Sequence, residues 1–202
     1  MSHPRTLLDF AGVAAPAASM PNAALVIIDP QREYLDGALP LEGIDEAIVE
    51  TSHLLRMARE SGAPIIHVLH HAAVGSRLFN PEGPYAEFIP ELAPCSSETI
   101  LIKGLPNAFA GTELASHLRE TGHANFILVG FATHMCVSAT ARAAVDLGLR
   151  STIVARATAT RDLPAAGDMG TVPASEIKRA TLAALADRFS RIVAGHGDLS
   201  GG

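Results

Sequence analysis

Cysteine is scarce in this chain of 202 residues: only Cys95 and Cys136 occur, and no CxxC pair is present. A disulfide framework is therefore excluded, and a reducing, cytoplasmic setting fits best. Positive charge is also thin, with 15 Lys and Arg against 21 Asp and Glu, a net charge of −6. Without a basic cluster there is no electrostatic footprint for nucleic acid. No stretch approaches the roughly 18 consecutive apolar residues of a membrane span. The Ala-rich run at 11–18 is broken by Pro16 and bracketed by Asp9 and Pro21, so it does not read as a secretory leader. Internal repeats and linkers are lacking too. What is present, 48% hydrophobic and 18% charged residues, suits one domain with a substantial core.

An Ala/Pro-rich arm over 1–22, with one helical turn near 6–10, precedes a domain over 23–202. The arm is expected to pack over the outside or onto a neighbouring subunit. AALVII at 23–28 is a continuous apolar run, the mark of a strand buried on both faces. Further strands are expected at 64–69, 98–102, 125–129 and 151–155, with a short sixth at 191–194. Between them, apolar residues at helical spacing predict helices over 44–61, with Gly62 as its stop, over 111–121 with Thr112 as N-cap, from Cys136 onward, and over 174–189. The Pro- and Gly-rich segment 70–94 is long enough to be a substrate loop. Strands alternating with helices, each strand a solid apolar run, predict a three-layer α/β/α fold around a doubly wound parallel sheet.

Ligands of such sheets bind beyond the carboxyl ends of the strands. Asp29 follows the first strand, Lys103 the third, and Cys136 the fourth across a tight turn. A thiol at a helix start faces unpaired N–H groups and the positive end of the helix dipole, which favour thiolate and can hold an oxyanion. Asp29 can take the thiol proton and return it to a departing amine, while Lys103 holds the charged pair. That is acyl transfer to cysteine followed by hydrolysis, with amides as natural substrates. On this reading Cys136 should alkylate ahead of Cys95, which has no helix start or basic neighbour.

LVIIDPQREY, IKGLPNAFAGTELASHL and LVGFATHMCVSATARAAVDLG, in that order, resemble the three motifs of the isochorismatase-like cysteine hydrolases. The resemblance covers nearly all of the chain after the arm. It implies a six-stranded parallel sheet of order 3-2-1-4-5-6 and a triad of Asp29, Lys103 and Cys136. It also implies an oxyanion hole from the N–H groups of Ala132 and Cys136, with a cis peptide between Phe131 and Ala132. The substrate class it implies is a small amide, lactam or carbamoyl compound, cleaved without cofactor by a homo-oligomer, dimer or tetramer; a metal-assisted nicotinamidase-like amidase and a catalytically silent oligomeric binding protein of the same fold are the alternatives. Because the cysteine is present, hydrolysis of the isochorismate vinyl ether is disfavoured.

Two departures stand out. The metal-binding relatives carry an Asp-x-His after the second strand, whereas this chain reads HVLHHAAVGS, with His67, His70 and His71 and no carboxylate in that place. His67 and His70 on one strand point to opposite faces, so no metal is expected there. Arg156 stands where many relatives carry Asp after the fifth strand, leaving the loop at 157–163 without an acidic anchor. Tyr34, Phe79, Phe109, Phe131 and His134 are the expected pocket walls. The segments HVLHHAAVGSRLFNPEGP and ATRDLP resemble the streptothricin-hydrolase side of the family.

Overall fold

Ala24–Ile28 (β1) has no polar position and sits at the centre of the sheet, covered on both faces. Around it lie Ile65–His70 (β2), Thr99–Lys103 (β3), Asn125–Phe131 (β4), Arg150–Ala159 (β5) and Ser190–Val193 (β6). All six strands are parallel, in the order β3-β2-β1-β4-β5-β6. The helices are Ile44–Ser61 (α1), Leu114–Glu120 (α2), Ser138–Asp146 (α3) and Ala174–Arg188 (α4). The doubly wound α/β sheet read from the sequence is the one observed. This computed structural model describes residues 4–12 and 17–199; the remainder of the Ala-rich stretch, at 13–16, lies outside them.

Alternation along β1 sets the layers. Leu25 and Ile27 join Leu54, Leu55 and Ala58 of α1 on one face. Ala24, Val26 and Ile28 join Leu114 and Leu118 of α2, Ala141 and Ala144 of α3 and Leu185 of α4 on the other. Each of these valine, leucine and isoleucine side chains, fully buried, contributes roughly 1.5–3 kcal/mol. Gly62, at φ 70°, closes α1 by returning its N–H to the carbonyls of Ala58 and Arg59.

Two boundaries and the arm differ notably from the expected picture. Helix α2 starts at Leu114 because Thr112 Oγ1 turns back to the Ala108 carbonyl while accepting from the Leu114 N–H at 3.2 Å. Strand β5 runs on to Ala159, so Arg156 lies inside it and the loop after it is shorter, holding a ribbon of Leu163–Pro164 against Thr171–Val172. The arm is not wholly external. Its turn at Leu7–Phe10, capped by Thr6, is tied to α4 through the Leu7 N–H and Asp187 Oδ1 at 2.8 Å. Further on, Ala18 and Met20 are buried in the α1 side of the core, with the Ala18 N–H donating to Thr152 Oγ1 at 3.0 Å.

Strand β4 approaches β1 unusually closely at Gly130. Its φ is 107°, and a Cβ there would stand 2.1 Å from the Ile28 carbonyl oxygen. The ladder from β4 to β5 shifts register between Leu128 and Gly130. Such an irregularity re-aims the strand end, and the turn that carries Cys136 comes directly after it.

Candidate active site

Asp29 leaves β1 with its N–H on the Val68 carbonyl at 2.7 Å and its own carbonyl accepting from the Gln31 N–H at 2.7 Å. A φ of 48° marks the sharp exit from the strand. Lys103 is the last residue of β3, paired in register with His70 of β2, so its stem must pass the end of β2 to reach β1. There its ammonium meets three partners: Asp29 Oδ2 at 2.9 Å, Cys136 Sγ at 3.3 Å and His70 Nδ1 at 3.1 Å. The three groups expected from the strand ends are thus brought together and enclosed, with Asp29 at 0%, Lys103 at 1% and Cys136 at 4% exposure.

Cys136 sits inside a π-helical turn, Thr133–Val137, that runs directly into α3. The helical backbone therefore begins three residues before the start expected at Cys136. The Phe131–Ala132 peptide is cis. The Ala132 carbonyl accepts from the N–H groups of Met135 and Val137, and Thr133 Oγ1 donates to the Ala159 carbonyl at 2.9 Å, tying the turn to β5. Ala132 is the cap of the turn that holds the thiol.

Burial pushes the Asp29 carboxyl up to about 6 although the neighbouring Lys103 ammonium draws it down. Burial, and then the Asp29 charge, push the Cys136 thiol up to about 12. This corrects the expectation of a resting thiolate. Taking the sulfur out of water beside a carboxylate disfavours its anion more than Lys103 favours it. Both shifts favour a neutral thiol beside the carboxyl in the free site.

The sequence marks His70 only as a metal candidate, and its contact with Lys103 cannot be read there. Burial, helped by the Lys103 charge, pushes the imidazole down to about 4, so it is a neutral acceptor. Its backbone is clamped by the buried Gln31, whose Oε1 accepts from the His70 N–H at 2.8 Å and whose Nε2 donates to the carbonyls of His70 and Ala86 at 3.0 Å. The register of β2 against β3 was the signal that could have found His70.

Tyr34, Phe79 and Phe131 form an edge-on cluster, with centroids 5.3 Å apart for Tyr34–Phe79 and 6.0 Å for Tyr34–Phe131, and Phe79 is 4.9 Å from His70. Burial and the charge of Asp29 push the Tyr34 phenol up, which keeps it protonated beside the triad. The buried Glu33 carboxylate, unremarked in the sequence, accepts from the N–H groups of Phe79 at 2.9 Å and Ala38 at 2.8 Å and so places Phe79. His134 is half-buried, bonded through Nδ1 to Thr160 Oγ1 and pushed down by burial.

Phe109 is not with them. Its ring packs 6.3 Å from that of Phe126, in the core layer beneath α2, α3 and α4. Phe126 pairs with Ala24 at the opposite end of β1 from Asp29, so Phe109 belongs to the core and not to the pocket.

His67 and His70 do face apart. His67 Nε2 lies 2.9 Å from Glu98 Oε2. Burial pushes Glu98 up, but Arg59 at 2.7 Å, the Cys95 N–H at 2.9 Å and His67 hold it down at about 2. Arg156 does not anchor the following loop: its N–H donates to the Ala194 carbonyl at 3.1 Å, inside the sheet. Asp162 takes the anchoring part, its Oδ1 accepting from the Ala174 N–H at 2.8 Å where α4 begins.

Comparison with known proteins agrees with the fold. The model of the isochorismatase domain matches residues 23–193. A crystal structure of an isochorismatase from Pseudomonas putida KT2440 is 44% identical, covers 98% of this chain and 100% of its own, and superposes with a TM-score of 0.92. A secreted isochorismatase effector of Verticillium dahliae is 36% identical over 193 residues, 96% of this chain and 97% of its own. A streptothricin hydrolase of Streptomyces noursei is 35% identical over 165 residues, 81% of this chain and 59% of its own. Among the described residues no helix is long and apolar enough to cross a membrane.

Proposed function

The chain belongs to the isochorismatase family of hydrolases, and from that premise we propose that it cleaves a C–N bond of a small amide, lactam or carbamoyl compound through a thioester at Cys136. The observation that carries this reading is the single Lys103 ammonium lying 2.9 Å from Asp29 and 3.3 Å from Cys136 in a buried site. Sγ attacks the substrate carbonyl carbon as its proton passes to Asp29, so no free thiolate has to accumulate. Lys103 stabilises the anionic sulfur during that step, and the N–H groups of Ala132 and Cys136 receive the oxyanion. Protonated Asp29 then gives its proton to the departing nitrogen as the C–N bond breaks. In the second half Asp29 takes a proton from water, the hydroxyl adds to the thioester carbon, and the proton returns to sulfur as the C–S bond breaks.

The likeness to a streptothricin hydrolase supports this substrate class. Two unpaired cysteines, one of them exposed, keep the cytoplasm as our reading of where it works, and the family resemblance keeps a homo-oligomer as the proposed working form. The test is hydrolysis of a panel of amides and carbamoyl compounds that includes nicotinamide, read as release of ammonia or amine, and of lactams that include streptothricin, read as the ring-opened product, with consumption of isochorismate followed beside them. Turnover of an amide-type compound that vanishes in Cys136→Ala and in Asp29→Asn is the expected result. Turnover of isochorismate alone, undiminished in Cys136→Ala, would overturn the thioester reading.

A further inference from the structure

Away from the triad, Glu50, His53 and His196 bring one donor atom each within 4.8 Å of one another. Glu50 and His53 are one turn apart on a single face of α1. His196 opens the short turn His196–Asp198 that follows β6. Strand β6 is three strands from β1, which puts the group about 14 Å along the sheet from the strand that delivers Asp29.

The cluster is built rather than incidental. Glu50 is buried at 7% exposure, and its Oε1 accepts from both the backbone N–H and the Nδ1 of His196. The His53 and His196 rings stand edge to face at 4.9 Å. Asp198 Oδ2 braces the His196 turn by accepting from the N–H groups of Ala194 at 3.1 Å and Gly195 at 2.9 Å. Gly195 lies so close that a Cβ would stand 3.1 Å from Glu50 Oε1. Within this frame one polar atom has nothing to bond: His53 Nδ1 is buried without a hydrogen-bond partner. Buried polar atoms in folded proteins are almost always paired, and an unpaired one points to a missing ion or water.

We propose that Glu50, His53 and His196 are a structural site for a borderline divalent cation of the zinc type, which fastens the turn after β6 to α1. Two imidazoles and one carboxylate are donors that zinc accepts, with the proton on any ligating nitrogen released on binding and water completing a tetrahedron. A hard cation is disfavoured, because magnesium prefers an all-oxygen shell. The Arg156 guanidinium, 3.3 Å from where a Gly195 Cβ would stand, repels any divalent cation alike, so the two imidazoles and Glu50 must supply the affinity.

Calorimetric titration of the chelator-treated full chain with zinc chloride tests the site, beside its melting temperature with and without zinc. The expected result is one zinc per chain and a higher melting temperature. His53→Ala and His196→Ala should each weaken binding by at least the roughly 10–100-fold that loss of a mere supporting group costs a metal site. Cys136→Ala should bind as the parent does, which separates this site from the triad and keeps the outcome independent of catalysis. In His196→Ala the backbone N–H remains on Glu50, so the turn stays tied and loss of zinc reports the imidazole. Zinc binding that is absent, that survives both histidine substitutions, or that is lost in Cys136→Ala overturns the proposal, as does an equal response to magnesium chloride.

Discussion

His70 Nδ1 lies 3.1 Å from Lys103 Nζ, and the two residues face each other directly in the β2–β3 ladder. An imidazole held at about 4 is uncharged at neutral pH and can only accept from the ammonium. Lys103 is thereby steered by three acceptors, two of which take part in the proposed chemistry. His70 is in this sense a positioning residue. Removing a hydrogen bond to a charged group costs about 1.5–3 kcal/mol, so His70→Leu should lower kcat roughly 10–100-fold. His70→Asn, which keeps an acceptor near the place of Nδ1, should recover most of the loss. Steady-state kinetics of the pair decide the matter: equal kcat in both variants would reduce His70 to a packing residue.

The carboxyl of Asp29, raised to about 6, predicts the acid limb of the pH–rate profile. Asp29 must be ionised to take the thiol proton, so kcat/KM should fall as pH drops through about 6. Burial raises the value and Lys103 lowers it, so Lys103→Gln should shift whatever activity survives to a limb at higher pH. A limb near 4 in the parent enzyme would mean that Asp29 is not the base or is far better solvated than its burial indicates.

The strands and α1 were legible because their signals are local. AALVII has no polar face to expose, and α1 ends where Gly62 allows φ 70°. Asp29, Lys103 and Cys136 were legible because a parallel sheet gathers its strand ends on one edge. Phe109 was not, since an aromatic in a loop after Lys103 reads the same whether it turns to the pocket or beneath α2. Arg156 lies within β5, which continues three residues beyond its charge as an Ala-Thr-Ala run too short and small to read as strand from the sequence. The ionisation of Cys136 depends on burial among distant segments, which no neighbour in sequence announces. Glu50 and His196 meet across 146 positions, beyond any local pattern.

Alkylation should reverse the order that the sequence suggests. Cys95 is exposed, while Cys136 is 4% exposed with its thiol pushed up to about 12. The thiolate is the reactive species. A small alkylating agent at neutral pH should therefore modify Cys95 first in the free protein, with Cys136 labelled only slowly. Peptide mapping by mass spectrometry after timed quenching reads this directly. Faster labelling of Cys136 would show an open, ionised site and remove the argument for proton transfer during attack.

Gly130 offers the sharpest test of how the fold shapes the site. Two independent penalties meet there: a φ of 107°, and an Ile28 carbonyl oxygen 2.1 Å from where a Cβ would be. Left-handed strain in a non-glycine residue costs about 1–3 kcal/mol, and overpacking against a fixed neighbour adds about 1–3 kcal/mol. The obstacle is backbone of the central strand, so no rotamer change relieves it. Gly130→Ala should lose on the order of 3 kcal/mol or more, which for a domain of this size lowers the melting temperature by roughly 6–12 °C. Gly62→Ala separates the two penalties, because Gly62 has φ 70° but nothing within 4 Å of its Cβ position. That variant should lose only about 1–2 kcal/mol. If both glycines cost the same, the close approach of β4 to β1 is not what selects Gly130. If Gly130→Ala folds at the lower melting temperature but loses turnover out of proportion, the approach also sets the turn that presents Cys136.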